Sequence, residues 1–174
     1  MAEAVTVRDL GAVGMITLRG DLADPKLQSV AGEISGQGIP EPGKCQVSGL
    51  RGLCWMSPDE LLILTPRDAV AAAVARIDTA LIGQHYLAVD VSDARTVLAV
   101  EGAGAAEVLA KLAPVDLHPD HFPVGAFRRT RLGQIAGAFW REEGRFVVVC
   151  YRSVGDYALR LLTASAKAGP VGHF

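Results

Sequence analysis

Three landmarks recur in this chain in the same order. Gly20 is followed 82 residues later by Gly102, Trp55 85 residues later by Trp140, and Thr65 88 residues later by Ser153. Nearly constant spacing over three ordered landmarks marks an internal repeat of one supersecondary unit. The 174 residues then form a single domain built twice over, with pseudo-repeats at about 5–85 and 86–166 and a tail at 167–174.

Local patterns support that reading. In the first half, Met15 to Gly20 reads as a strand, Pro25 to Glu33 as a short helix, and the Gly/Pro-rich stretch Ser35 to Lys44 as a loop. Leu50 to Trp55 and Leu61 to Leu64 read as a hairpin around Met56–Glu60, and Thr65-Pro66-Arg67-Asp68 as a capped helix start. Val70, Val74, Ile77 and Leu81 then share one helical face, and Gly83 stops the helix. In the second half, Arg95 to Gly102 is a strand and Ala103 to Leu112 a helix, with Glu107 and Lys111 paired four apart on the wet face. A Pro-punctuated loop, Pro114 to Gly125, leads to three strands: Ala126 to Leu132, Gln134 to Trp140 and Arg145 to Tyr151. Ser153-Val154-Gly155-Asp156 caps the last helix, whose buried stripe is Val154, Tyr157, Leu161 and Leu162. The fold class is therefore α+β: duplicated β-α-β-β-α units forming a largely antiparallel sheet with helices packed on it. Trp55 and Trp140, at strand ends, are expected to pack against the helices.

Composition excludes several classes of function. With 50% apolar and 21% charged residues, the chain has too much core material for a disordered segment. Its longest dense apolar run, Ala69 to Ala75, falls far short of the ~20 residues of a membrane helix. No early apolar stretch follows a basic start, so a soluble, cytoplasmic protein without a signal peptide is expected. The halves carry seven basic with ten acidic and ten basic with nine acidic side chains, for a net charge of −2, unlike a nucleic-acid surface. Cys45, Cys54 and Cys150 form no Cys-x-x-Cys pair and read as buried thiols.

The chemistry-bearing residues form no catalytic constellation. His118-Pro119-Asp120-His121, with Asp116 nearby, puts two imidazoles in a loop without a further ligand close in sequence, so it reads as a connecting loop and no metal is assigned. Ser57, Ser92 and Ser153 sit at turns or caps. Gly102-Ala103-Gly104 lacks the third glycine and downstream acid of a dinucleotide turn. No catalytic, cofactor-binding or metal residue is expected. Arg128, Arg129 and Arg131 are the one dense basic cluster, with Arg129 and Arg131 on one strand face and Arg128 on the other. Three readings stay open for them: a solvated edge-strand charge set, a rim that docks an acidic partner, or an anion or folate-tail site.

Three stretches resemble one family. Cys54-Trp55-Met56-Ser57-Pro58-Asp59-Glu60-Leu61 is similar to the Trp-x-x-Pro-Asp-Glu signature of the gamma subunit of heterotetrameric sarcosine oxidase. Asp90-Val91-Ser92-Asp93-Ala94-Arg95-Thr96 resembles its Val-Ser-Asp-x-Arg-Thr stretch. Asp116-Leu117-His118-Pro119, Phe122-Pro123-x-Gly125 and Leu132-Gly133 supply the third, and Phe146 to Leu162 follow in the expected places. That family is in turn similar to the folate-binding domain of the glycine-cleavage aminomethyltransferase, itself a duplicated fold. The aminomethyltransferase has C-terminal domains beyond such a domain, whereas a single such domain is expected here. The Lys-Gly-Cys-Tyr-x-Gly-Gln-Glu motif of an iron–sulfur-maintenance relative is not met by Gly43-Lys44-Cys45-Gln46.

The resemblance implies a non-catalytic gamma subunit whose role is assembly and stability, with alpha, beta and delta subunits as partners. The complex demethylates sarcosine oxidatively to glycine, giving hydrogen peroxide and either methylenetetrahydrofolate or formaldehyde. It uses FAD, FMN, NAD, zinc and tetrahydrofolate on other subunits and none in this chain. Nucleic acid and membrane are not expected partners, and the isolated chain could form a homodimer. The alternative is a free-standing folate-binding or one-carbon transferase domain.

Overall fold

A computed structural model describes residues 5–169 and Gly172. The chain divides into two compact units. The inner unit is continuous, Ala12–Asp93; the outer unit takes the described residues up to Gly11 and those from Ala94 onward.

The inner unit holds β2 (Gly14–Arg19), α1 (Pro25–Ser35), β3 (Cys45–Ser48), β4 (Arg51–Ser57), β5 (Glu60–Thr65), α2 (Val70–Ala80) and β6 (Leu87–Asp90), counting from β1 (Thr6–Asp9) in the outer unit. Its sheet runs β3-β4-β5-β2-β6, with every pairing antiparallel. Pro25 opens α1 with its fixed φ, and the Asp24 carboxylate accepts from the Lys26 and Leu27 amides at 2.8 and 3.0 Å. Gly36, at φ 71°, closes that helix in the left-handed conformation a side chain resists. Leu27 and Ile34 of α1 and Val70 and Ile77 of α2 pack on Ile16, Leu53 and Ile63 of the sheet.

The outer unit holds β1, β7 (Arg95–Glu101), α3 (Ala105–Ala110), β8 (Phe127–Leu132), β9 (Ile135–Glu142), β10 (Arg145–Tyr151) and α4 (Gly155–Lys167). Its sheet runs β1-β7-β10-β9-β8, again wholly antiparallel. The two orders are the same once β2–β5 are matched with β7–β10. Gly20 and Gly102 follow β2 and β7, Trp55 and Trp140 lie on β4 and β9, and Thr65 and Ser153 stand at or just after the ends of β5 and β10. The fifth strand is exchanged: β1 precedes β2 in sequence but pairs with β7, and β6 precedes β7 but pairs with β2. A Phe122, Phe139 and Phe146 cluster lies among Leu109 of α3 and Leu162 of α4, with ring centroids 5.6–6.4 Å apart.

Several local expectations are corrected. Among the described residues the antiparallel strands of the expected α+β fold form two five-stranded sheets, and β1 and β3 were not anticipated. Thr65 and Ser153 do not cap α2 and α4, because 3-10 turns at Arg67–Ala69 and Arg152–Val154 intervene. The Thr65 hydroxyl is buried without a hydrogen-bond partner. On α4 the buried stripe is Gly155, Ala158, Leu162 and Ser165, whereas Tyr157 is exposed. Glu107 is buried rather than on a wet face, and the Lys111 ammonium donates to the Ser165 and Gly169 carbonyls, holding the end of α4. Trp140 stacks on Phe127 at 6.4 Å and donates to Glu142, outside the cluster that includes the helices. Of the expected tail, Lys167 still belongs to α4, and residues 170, 171, 173 and 174 lie outside the described residues, His173 among them.

Candidate functional site

The three signature stretches fold into turns whose polar groups bond the chain's own neighbours. Trp55 to Leu61 forms the β4–β5 hairpin, with a bulge between Trp55 and Ser57. There the Ser57 hydroxyl donates to the Asp59 carboxylate at 2.7 Å, and Arg19 pairs with the same carboxylate at 2.6 Å. Gly20 N–H donates to the Asp59 carbonyl at 3.0 Å. The Ser57 hydroxyl foremost, and then Arg19, hold the Asp59 carboxyl below the ordinary aspartate value.

In the inner unit's share of the second stretch, Ser92 is 3% exposed; its hydroxyl accepts from Met15 N–H at 2.9 Å and donates to Asp90 at 2.5 Å. Arg67 reaches Asp90 at 3.4 Å and Asp93 at 2.5 Å. Burial alone would push the Asp90 carboxyl up, but the Ser92 hydroxyl and amide and the Arg67 charge together bring it below its ordinary value. In the outer unit's share, the Arg95 guanidinium lies 4.5 Å from the centroid of the Tyr151 ring, a cation–π contact. Thr96 is buried where the chain turns into α4.

The third stretch is an anchored loop. Asp116 accepts from the His118 amide at 3.0 Å and meets His121 Nδ1 at 2.5 Å, and these contacts, the amide first, lower its carboxyl. Leu117 and Phe122 drop from it into the outer core. Gly133, at φ 58°, donates to the Leu112 carbonyl and closes the β8–β9 turn. Among the described residues no three His, Cys, Asp or Glu side chains gather in a way that could hold a metal ion.

Arg128, Arg129 and Arg131 stand together on β8, an end strand of the outer sheet, and all three are exposed. Opposite Phe139, Ala138 and Ala136 of β9 they alternate faces as the strand period requires, and Arg131 donates to Gln134 at 3.1 Å. Two open grooves occur among the described residues. One, of about 580 Å³, lies along α1 and α2 and includes Lys26, Glu33 and Arg76. The other, of about 700 Å³, includes Glu101, Gly102, Arg141 and Glu142. Each carboxylate lining them is held by an arginine: Glu33 by Arg76, Glu101 by Arg8 and Glu142 by Arg145. Arg19, which holds Asp59 of the first signature, and Arg67, which holds Asp90 and Asp93 of the second, were not singled out in the sequence, since their partners lie 40 and 23–26 residues away.

Comparison with known proteins follows the same lines. Residues 19–167 match the model of the sarcosine oxidase, gamma subunit family. A sarcosine oxidase subunit gamma from Corynebacterium sp. (strain P-1) is 30% identical over 142 residues, covering 80% of this chain and 68% of the relative. A chain of heterotetrameric sarcosine oxidase from Corynebacterium sp. U-96, solved with pyrrole 2-carboxylate, superposes with a TM-score of 0.87 at 25% identity. That match covers 100% of this chain and 89% of the other. The glycine cleavage system aminomethyltransferase T from Bartonella henselae shares the fold, with a TM-score of 0.64 at 14% identity over 92% of this chain and 46% of its own. Signatures, duplicated fold and full-length match agree, and the chain belongs to the sarcosine oxidase gamma subunit family.

Proposed function

We propose that this chain is a non-catalytic gamma subunit of a cytoplasmic, four-chain sarcosine oxidase, serving its assembly and stability beside alpha, beta and delta subunits. Oxidative demethylation of sarcosine to glycine, with release of peroxide and of methylenetetrahydrofolate or formaldehyde, takes place on the other chains. Those chains hold the FAD, FMN, NAD, zinc and tetrahydrofolate. The observation that carries this reading is the superposition of the whole chain on one chain of a heterotetrameric sarcosine oxidase. It is supported by the signatures, whose carboxylates and hydroxyls bind the chain's own strands and turns.

Arg128, Arg129 and Arg131 serve in this reading as a rim for an acidic partner surface, because they place three exposed positive charges on an end strand. Co-expression of the three partner chains with and without this one tests the role. Omitting it is expected to lower the yield and thermal stability of the flavin-bearing assembly, and the triple charge reversal Arg128→Glu, Arg129→Glu, Arg131→Glu to slow association most at low salt. Equal yield and stability without the chain would contradict the proposal. Micromolar tetrahydrofolate binding by the isolated chain, about −8 kcal/mol, would favour a free-standing folate domain instead.

A further inference from the structure

We propose that Cys45 and Cys54 form a thiol pair that peroxide oxidises to a cross-strand disulfide. Nothing in the assembly reading requires it; it rests on strand register. Cys45 on β3 stands directly opposite Cys54 on β4, so the two side chains leave the sheet on the same face. Gly49, at φ 60°, takes the first central position of the two-residue turn that closes this hairpin. Trp55 N–H donates to the Lys44 carbonyl at 3.1 Å, which makes Lys44–Trp55 a hydrogen-bonded pair. In an antiparallel ladder the pair types alternate, so Cys45–Cys54 is a non-hydrogen-bonded pair, where Cα atoms approach to about 4.5 Å and side chains lie closest. That separation lies within the 4.4–6.8 Å span of disulfide-linked residues, so the bridge needs no shift of backbone.

Both residues are buried and neither is in a disulfide. Cys45 is the more accessible, 6% exposed on the four-residue end strand β3, while Cys54 is at 0% one strand further in. Residues 36–44, which precede β3, include Gly36 and Gly43 at positive φ and two prolines, and they form no helix or strand beyond their end at β3. The short end strand is held by one neighbour only, so opening it breaks fewer bonds than opening an inner strand of the sheet.

The chemistry balances with one peroxide. The Cys45 sulfur attacks a peroxide oxygen, the O–O bond breaks, and a sulfenic acid and one water result. The Cys54 sulfur then displaces the sulfenic hydroxyl, its own proton leaving with that oxygen as a second water, and the S–S bond forms. Two thiols are oxidised by two electrons and one peroxide is reduced. Cys150 supplies an internal control: it is buried on β10 facing Thr96 and Gly137, with no cysteine opposite, and burial raises its thiol pKa.

Trypsin makes the test direct. Cleavage after Lys44, Arg51 and Arg67 puts the two cysteines on separate peptides, 45–51 and 52–67. The folded full-length chain is treated with hydrogen peroxide, its remaining thiols are alkylated in denaturant, and a non-reducing digest is weighed. The expected result is a linked 45–51/52–67 species, about two hydrogens lighter than the sum and split by dithiothreitol, with Cys150 recovered alkylated. Titratable thiols fall from three to one. Recovery of both peptides unlinked, or links to Cys150 as frequent as the Cys45–Cys54 link, would overturn the proposal. The same treatment in urea needs no variant to fold: lying only nine residues apart in sequence, Cys45 and Cys54 still link most often there, while links to Cys150 rise to a measurable share. A share of Cys150 links in the folded chain as large as that in urea would show that chain proximity, not strand pairing, directs the reaction.

Discussion

Ser92 shows how a signature residue can matter without touching a substrate. Its hydroxyl is the partner of a buried backbone N–H, that of Met15, and at the same time donates to Asp90. Ser92→Ala leaves that amide unsatisfied, which costs about 1–3 kcal/mol of unfolding free energy. Urea denaturation measures it, and a loss below about 0.5 kcal/mol would assign the amide another partner. Gly155 makes a complementary case. It sits at φ −59° in helical backbone, where alanine would ordinarily be favoured. An added Cβ would lie 2.4 Å from Thr96 Oγ1, so Gly155→Ala is expected to destabilise by about 1–3 kcal/mol. Thr96→Ala removes that oxygen and should recover part of the loss, giving a coupling above about 0.5 kcal/mol in a double-mutant cycle. Strict additivity would contradict the contact.

At the scale of elements, the ion pairs act as clips between strands. Glu101 on β7 meets Arg8 on β1 and Arg145 on β10, and the Arg8 hydrogen bond is the main cause of its lowered carboxyl pKa. Asp90 is lowered too, its bonds to Ser92 and the charge of Arg67 outweighing the cost of burial. A carboxyl whose folded value lies below its unfolded one contributes stability above the unfolded value and loses it as pH falls through the folded one. The urea midpoint should therefore begin to drop as pH approaches 4.5 for glutamate and 3.8 for aspartate, and continue to drop below them. Glu101→Gln should flatten that slope, whereas a midpoint that rises into acid would contradict the sign. The helices and long strands were legible because their signals are local: Pro25 opens α1, and the apolar run of β10 stands between clear turns. The strands β1 and β3 were not, because four residues of mostly exposed pattern carry no period. Of the two, β1 is paired at long range with β7, whereas β3 pairs with its neighbour β4 across a two-residue turn. The failed caps at Thr65 and Ser153 have a similar cause, since a 3-10 turn displaces the helix start by a few residues without altering the composition that suggests a cap.

For the whole molecule, the repeat seen as three spaced landmarks corresponds to two units with one strand order. What spacing did not reveal is that each repeat contributes its first strand to the other unit's sheet, β1 to β7 and β6 to β2. The family signatures were legible for the opposite reason, being short and contiguous, although the arginines that hold them, Arg19 and Arg67, were not. Under the proposed function the site is a docking surface. Among the described residues the β8 arginines and scattered apolar side chains such as Leu87 and Val89 are exposed. The most direct measurement is gentle purification of the N-terminally tagged chain from its host grown on sarcosine, with the visible spectrum and subunit masses of what accompanies it. Three further subunits, flavin absorption and peroxide release on adding sarcosine are the predicted result. A colourless chain recovered alone would contradict the account.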